Sequence, residues 1–169
     1  MRKECGRDSD KKVRILDTAA LILGFTEQGG EELITCRDVL EEARYGGAAL
    51  RKMGVIRVVE PSDKYVRIVR EKAEEIGESD LSRTDIHVIA LALQLSEKYP
   101  ETSIATSDYS VQNLASILGL KVEPLLHRGI TRKILWITYC PSCGWTGNDR
   151  SPGESCPRCG SRLRRRPRE

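Results

Sequence analysis

The stretch VRILDTAALIL (residues 13–23) places a short apolar run, Val13 to Leu16, directly before an acid and a helical segment. A run of branched apolar residues that ends at Asp17 predicts a buried strand leading into a helix. The same order returns in TSIATSDYSVQN (residues 102–113), where the strand TSIAT ends shortly before Asp108. Strands that alternate with helices predict an α/β fold with a central parallel sheet.

The segments around these two stretches continue the alternation. The pattern predicts helices over 35–54 (broken at 46–47), 62–77, 82–99 and 109–119, and strands over 55–60 and 120–126. The helix over 82–99 is apolar almost all round, so we expect it to be largely buried. We therefore expect a three-layer sandwich over residues 13–126, preceded by an N-terminal tail over residues 1–12.

Four cysteines stand in CPSCGWTGNDRSPGESCPRCG (residues 140–160) as two C-x-x-C pairs, each followed by glycine. The set is Cys140, Cys143, Cys156 and Cys159. Paired spacing of this kind predicts four thiolates around one Zn²⁺, and a four-thiolate site leaves no open position for a catalytic water. Two disulfides or a redox pair fit the symmetry less well. We expect a linker over 127–133, a structural zinc ribbon over 134–163 and a basic tail over 164–169.

The charge of the chain is unevenly distributed. Residues 1–129 hold 19 Lys and Arg against 22 Asp and Glu, a net charge of −3, whereas residues 130–169 hold 9 against 3, a net charge of +6. A basic end with interspersed aromatic residues suits phosphate contacts and base stacking. The candidate RNA contacts are Trp145, Arg150, Arg158, Arg164, Arg165 and Arg166. Two alternatives stay open: the charges serve solubility, and Trp145 belongs to the core of the ribbon.

Acidic residues follow the predicted strands or begin the helices after them. Asp17 and Asp108 follow strands, Asp85 begins the apolar helix, and Glu41 and Glu42 lie on the helix over 35–54. Each acid alone has an ordinary explanation as a helix cap or a solvated side chain. Ligand sites of parallel sheets lie at the carboxyl ends of the strands, so the acids can also meet there. Gathered carboxylates require a cation, and hard oxygen ligands suit Mg²⁺ or Mn²⁺.

Four motifs in order resemble those of the PIN-domain ribonucleases: ILDTAALI, TCRDVLEEAR, RTDIHVIALALQL and IATSDYSVQN. A PIN domain followed by a four-cysteine ribbon resembles the archaeal ribosome-maturation endonucleases. The resemblance implies that Asp17, Glu42, Asp85 and Asp108 hold the catalytic Mg²⁺ or Mn²⁺, with Glu42 preferred over Glu41. It also implies that Thr106 orients a water or a phosphate.

The function that the resemblance implies is a metal-dependent endoribonuclease that trims the 3′ end of the 16S ribosomal RNA precursor. Its partners would then be precursor rRNA and the small-subunit precursor. The polar first residues predict a cytoplasmic protein without a membrane partner. The alternatives are a non-catalytic adaptor that binds RNA or ribosomes through the ribbon, a polymerase-binding ribbon factor, and a toxin-type PIN ribonuclease.

Overall fold

The computed structural model describes residues 11–26, 29–43 and 55–168, and every structural statement below refers to these ranges. The first part contains β1 (Lys12–Leu16), α1 (Thr18–Ile22), β2 (Glu32–Thr35), α2 (Arg37–Glu42), β3 (Ile56–Val58), α3 (Asp63–Ile76), α4 (Arg83–Ser96), β4 (Glu101–Thr106), α5 (Tyr109–Ile117) and β5 (Lys121–Pro124). The second part contains β6 (Trp136–Tyr139), β7 (Thr146–Gly147) and β8 (Arg164–Pro167). None of the described helices is long and apolar enough to cross a bilayer.

The first part is built on a five-stranded sheet in the order β3-β2-β1-β4-β5. All four neighbouring pairs are parallel, which confirms the predicted α/β fold. Strand β1 lies in the centre and pairs with β4 in a register that sets Ile15 beside Ile104. Because parallel strands end at the same edge, the residues after β1 and β4 are brought together there.

The sheet and its helices share one hydrophobic core. Ile15, Ile34 and Ile104 are completely buried on three adjacent strands, and Ile89 and Leu91 of α4 are completely buried above them. The run of buried residues along α4 confirms the expectation of a largely buried helix. Cys140, Cys156 and Leu163 form a separate small core in the second part. The described residues therefore form two cores, one for each part.

Two elements depart from the sequence-based expectation. Strand β2 lies between β1 and β3 in the sheet. The sequence did not predict this strand, because it has only four residues, Glu32–Thr35, and its apolar run is too short to stand out. Of the helix expected over 35–54, the structure describes Arg37–Glu42, and residues 44–54 lie outside the described ranges. Residues 1–10 of the expected N-terminal tail also lie outside the described ranges, and Lys12, the last residue of that tail, belongs to β1.

The segment expected to be a basic tail contains a strand. Arg164–Pro167 form β8, which pairs antiparallel with β6 and completes the three-stranded sheet β7-β6-β8. Pairing with β6 satisfies the backbone hydrogen bonds of this segment, which charge composition alone did not reveal. The expectation of a tail from 164 onward is therefore wrong for these four residues.

The segment expected to be a linker is fastened to helix α5. The backbone N–H of Ile130 donates to Gln112 Oε1 at 3.1 Å. The side chain of Asn113 accepts from the N–H of Ile134 and donates to its carbonyl, both at 2.8 Å. Gly129 lies so close to Pro124 that an added Cβ would meet the Pro124 ring at 2.3 Å. The second part is thereby held against the helix that begins after Asp108.

Candidate active site and zinc site

A cavity of about 350 Å³ lies at the carboxyl edge of the sheet. Its wall includes Asp17, Glu42, Asp85 and Asp108, which come from four different elements or their preceding residues. Hydroxyl side chains stand between these acids. The structure therefore brings together all four acids that the motifs singled out, and we call this space the acid cavity.

Asp17 lies between the end of β1 and the start of α1. Its Oδ1 accepts a hydrogen bond from the N–H of Ala20 at 2.7 Å, so it is the N-cap of that helix. Only 8% of Asp17 is exposed, and this burial raises the pKa of its carboxyl group. Hydrogen bonds from Thr106 and Ala20 oppose that rise, and the charges of Asp85 and Asp108 add to it. Capping and the acid cavity are thus compatible uses of one side chain.

Asp108 has the matching place after β4. Its Oδ1 accepts from the N–H of Ser110 at 2.6 Å and from that of Val111 at 3.3 Å, which caps α5. Thr106 is completely buried, and its hydroxyl accepts the N–H of Asp108 at 3.0 Å. Because Thr106 also hydrogen-bonds Asp17, it lies behind the acids and links two of them. It is not among the side chains that line the cavity.

Asp85 is fixed at the first turn of α4 by a capping box. Asp85 Oδ2 accepts the N–H of Ser82 at 2.8 Å, and the Ser82 hydroxyl accepts the N–H of Asp85 at 3.1 Å. Burial is the main cause that raises the pKa of Asp85, against the lowering effect of the Ser82 hydrogen bonds. The charges of Asp108 and Glu42 raise it further. These four carboxyl groups therefore interact electrostatically.

Glu42 is held by two hydroxyl groups that the sequence analysis did not single out. Thr18 donates to Glu42 Oε2 at 2.8 Å, and Thr84 donates to Oε1 at 2.5 Å. The structure places Glu42 in the cavity wall and Glu41 outside it, although both residues are exposed. A signal for the hydroxyls was present in the sequence, because Thr18 directly follows Asp17 and Thr84 directly precedes Asp85.

The donor set of the acid cavity fits a hydrated divalent cation. Carboxylate oxygens and hydroxyls are the hard ligands that Mg²⁺ and Mn²⁺ prefer, and Mg²⁺ usually keeps several waters. Within the described residues, the four cysteines are the only group of three or more potential ligands whose donor atoms all lie within 4.8 Å of one another. The acids are therefore spaced more widely than the thiols, which leaves room for water and substrate among them.

The four cysteines form a compact cluster at one end of the second part. Cys140 Sγ lies 3.5 Å from Cys159 Sγ, and Cys143 Sγ lies 3.6 Å from Cys156 Sγ. Four thiolates at about 2.3 Å from one Zn²⁺ stand about 3.8 Å apart in a tetrahedron. These separations fit the predicted zinc ribbon, in which all coordination positions are filled by protein.

Two equivalent turns present the thiols. The N–H of Gly144 donates to the carbonyl of Cys140 at 3.0 Å, and the N–H of Gly160 donates to that of Cys156 at 2.9 Å. Both glycines have positive φ angles, 73° and 76°, which side chains rarely adopt. Hydrogen bonds from Ser161 lower the pKa of Cys159, whereas burial and the hydrogen bonds of the neighbouring cysteines raise the pKa of Cys143. A bound metal ion would require all four groups as thiolates.

The six residues expected to bind RNA are placed in different surroundings. Trp145 packs against the cysteine core. Arg150 forms an exposed ion pair with Glu154 at 3.5 Å. Arg158, Arg164 and Arg166 are exposed, and the Arg166 guanidinium lies 5.2 Å from the centre of the Tyr139 ring.

Arg165 connects the two parts of the chain instead of facing solvent. It pairs with Glu78 at 3.2 Å and with Asp80 at 2.5 Å, and its guanidinium lies 4.5 Å from the centre of the Trp136 ring. Glu78 also accepts hydrogen bonds from Trp136 Nε1 at 3.0 Å and from Asn113 at 3.1 Å. Arg165 thus makes an internal contact, because a buried carboxylate requires a partner, and its contact with RNA stays a prediction.

Comparisons with known proteins agree with this architecture. Residues 15–95 match the model of the PIN domain of ribonuclease. The chain is 36% identical to Endoribonuclease Nob1 of Pyrococcus abyssi over 91% of its own length and 93% of the relative's. It is 34% identical to Endoribonuclease Nob1 of Archaeoglobus fulgidus, over 89% and 88%. It is also 33% identical to Ribonuclease VapC1 of Thermoplasma acidophilum, over 90% and 77%.

Proposed function

The chain belongs to the family of the archaeal Nob1 endoribonucleases and is itself an endoribonuclease, and we propose that it cuts precursor ribosomal RNA at the acid cavity with a divalent cation. The meeting of four acids from distant parts of the chain at one cavity carries this proposal. The bond that we expect to be cut defines the 3′ end of 16S ribosomal RNA. The reaction would leave a 3′-hydroxyl and a 5′-phosphate.

The acids would hold Mg²⁺ or Mn²⁺. The cation would lower the pKa of a water molecule and place positive charge near the leaving oxygen. Asp17 and Asp108 hold fixed positions because each caps a helix. Glu42 keeps its orientation through Thr18 and Thr84. These contacts hold the acids in place before substrate arrives, which is what a preorganised site requires. Thr106 supports Asp17 and Asp108 from behind.

We propose that the second part of the chain binds the substrate RNA. Zn²⁺ at the four cysteines would keep the ribbon folded without taking part in the reaction. Arg158, Arg164 and Arg166 remain exposed there and are available to RNA phosphates. The partners are then precursor rRNA and the small-subunit precursor, which places the protein in the cytoplasm.

Cut mapping on a precursor fragment that spans the mature 16S terminus tests the proposal. With Mn²⁺ present, we expect one dominant cut for the wild type and a loss of at least about a thousandfold in rate for Asp17→Asn. The affinity of Asp17→Asn for the fragment should stay within a few-fold of the wild type. Cutting that is unaffected by the substitution would remove the central assignment.

A neighbouring pair of acids provides a matched control. Glu42 lies in the cavity wall and Glu41 lies outside it, yet both are exposed and both are on the same helix. Glu42→Gln should reduce the cutting rate strongly, and Glu41→Gln should leave it close to wild type. An equal loss in both variants would contradict the assignment of Glu42.

A toxin-type ribonuclease is the second candidate, favoured by the similarity to Ribonuclease VapC1. That candidate predicts growth arrest on expression and an antitoxin gene beside this one. Our proposal predicts instead that the protein co-purifies with small-subunit precursors and that its depletion leaves 16S precursors with extended 3′ ends.

A further inference from the structure

A second cavity, of about 200 Å³, lies where the linker, β6 and α5 meet, and we call it the interdomain cavity. Tyr109 lines it and is 53% exposed, although it is a large aromatic residue. Ser110 also lines it, and the N–H of Ser110 donates to the carboxylate of Asp108 at 2.6 Å. The interdomain cavity therefore begins one residue away from the acid cavity.

The linker forms the opposite side of the interdomain cavity. Ile130 and Ile134 contribute apolar surface, and their backbone hydrogen bonds to α5 fix this part of the chain. Arg128, Arg132 and Lys133 alternate with them and are exposed. None of these three cations forms an ion pair with a side chain in the described ranges. Ile130 and Ile134 thus give the cavity an apolar side, and the same segment of the chain carries three exposed cations.

The third side of the interdomain cavity is electrically balanced. Glu78 lies in its wall, but Arg165 pairs with this carboxylate at 3.2 Å and Trp136 Nε1 donates to it at 3.0 Å. A compensated carboxylate does not repel a polyanion in the way that a free one does. The wall is therefore compatible with nucleic acid close to it.

We propose that the interdomain cavity receives one unpaired base of the substrate RNA, stacked on Tyr109, next to the phosphate that the acids cut. Arg128, Arg132 and Lys133 would contact the phosphates on either side of that base. This assignment rests on the proposed function, because the base would belong to the same RNA that is cut at the acid cavity. It adds a base-binding step that selects unpaired RNA at the cut.

The size and composition of the interdomain cavity favour a base over other occupants. Sites for drug-sized ligands measure about 300–1,000 Å³, so a cavity of about 200 Å³ takes only one small flat group. Proteins recognise single-stranded RNA by stacking splayed bases on aromatic rings and by holding the phosphates with cations. An apolar peptide segment would gain nothing from the three exposed cations of the segment that contributes Ile130 and Ile134.

The test measures binding with the Asp17→Asn variant as background, so that the RNA stays intact. Single abasic substitutions are placed one at a time around the expected cut in the precursor fragment. We expect one position, adjacent to the cut, at which loss of the base weakens binding about tenfold or more. Adding Tyr109→Ala should weaken binding to the normal fragment by a similar factor and abolish the effect of the abasic position. Tyr109→Trp should retain both.

The cations are tested in the same background with a matched pair of double variants. Arg132→Ala with Lys133→Ala should lower the affinity and reduce its salt dependence, because each phosphate contact adds to the salt slope. Lys64→Ala with Arg67→Ala removes the same charge from the exposed surface of α3 and should change neither quantity. Equal effects of the two pairs would contradict a local contact.

The outcomes separate this inference from the proposed function. A flat abasic scan, or unchanged binding by Tyr109→Ala, overturns the base site even where the wild type cuts normally with Mn²⁺. Absent cutting by the wild type would overturn the proposed function, while the abasic scan still reports on the cavity. Competition by an apolar peptide in place of RNA would assign the cavity to a protein partner and also overturn the inference.

Discussion

The acid cavity and the cysteine cluster are two sites suited to metal that the chain assembles in opposite ways. The four thiols come from one short stretch, residues 140–159, and their Sγ atoms lie within 4.8 Å of one another. The four acids come from elements spread over residues 17–108, and they line an open cavity of about 350 Å³. A closed cluster holds its ion by filling every position, whereas an open one leaves places for water and substrate. The comparison separates the predicted structural site from the proposed catalytic one.

The largest expected effect comes from breaking the closed site. Cys156→Ser should unfold the ribbon, because structural Zn²⁺ contributes about 10–16 kcal/mol to the folding of such small modules. The first part should stay folded, since its core is separate from that of the ribbon. Zinc content and amide hydrogen exchange resolved by segment measure both statements. Ser142→Ala, an exposed change in the first turn, is the control and should retain zinc.

The same comparison explains what could be predicted from the sequence. The cysteine ligands could be predicted because their spacing within one short segment is itself the site. The places of Asp17 and Asp108 could be predicted as well, since each lies within two residues of the end of a strand in a parallel sheet. The hydrogen-bond partners of Glu42 could not be predicted, because Thr18 and Thr84 come close to it only when α1, α2 and α4 pack together.

The failures on the ribbon side have a similar physical origin. Charge composition suggested that Arg165 faces RNA, whereas it pairs with a carboxylate that lies 87 residues earlier in the chain. Strand β8 was missed because its arginines resemble a solvated tail until β6 offers them a partner strand. Contacts between distant segments decide both outcomes, and a local pattern does not contain them.

The second-largest effect is expected where the two parts meet. Glu78 accepts from Asn113, Trp136 and Arg165 with its side chain almost fully buried. Glu78→Ala should destabilise the contact between the two parts by about 2–4 kcal/mol, because it leaves buried donors without an acceptor. Proteolysis within residues 127–135 should become faster, and zinc content should not change.

Two milder variants sharpen this result. Glu78→Gln keeps an acceptor of the same size and should cost less than Glu78→Ala. Asp80→Asn weakens only the exposed side of the Arg165 pair, which is worth at most about 1 kcal/mol. Unchanged proteolysis in Glu78→Ala would show that the ribbon is not held by this carboxylate.

A smaller effect concerns pH and the open site. Burial raises the pKa of Asp17 and of Asp85 above the ordinary value near 4, so the folded protein binds these protons more tightly than the unfolded chain does. Their contribution to the free energy of unfolding therefore falls as pH rises from about 4 through the raised pKa values. Mn²⁺ should reverse this loss, by about 3 kcal/mol at a hundred times its Kd. Urea unfolding between pH 4 and pH 7, with and without Mn²⁺, measures both effects.

Substitution at the open site should exchange activity for stability. Without metal at pH 7, Asp17→Asn is expected to be as stable as the wild type or more stable by about 1 kcal/mol, and to respond less to Mn²⁺. Glu101 has the opposite sign, because its hydrogen bond with Lys121 lowers its pKa. The Glu101 carboxylate therefore stabilises the fold slightly above the ordinary carboxyl pKa, and this effect is lost as pH falls through the lowered pKa. Glu101→Gln should accordingly be slightly less stable than the wild type at the higher pH and equal to it at low pH. Because Asn caps a helix about as well as Asp, a destabilised Asp17→Asn protein would mean that the negative charge at the start of α1 stabilises more than repulsion in the acid cavity destabilises.

The smallest effect should come from Thr84, whose hydroxyl orients Glu42 and is not itself among the proposed metal ligands. Thr84→Val keeps the shape of the side chain but removes the hydrogen bond to Glu42 Oε1, while the bond from Thr18 to Oε2 remains. We expect a loss of about tenfold in cutting rate and a higher Mn²⁺ requirement, because orienting contacts typically contribute ten- to a hundredfold. Thr84→Ser restores the donor and should recover most of the rate.

Because the cysteine cluster is closed by its own ligands, no single hydroxyl next to it should have a comparable effect on cutting. Ser161→Ala tests that contrast in the same assay. A strong loss of cutting in Ser161→Ala, with zinc retained, would mean that the ribbon takes part in the reaction and that the two sites are not separate in function.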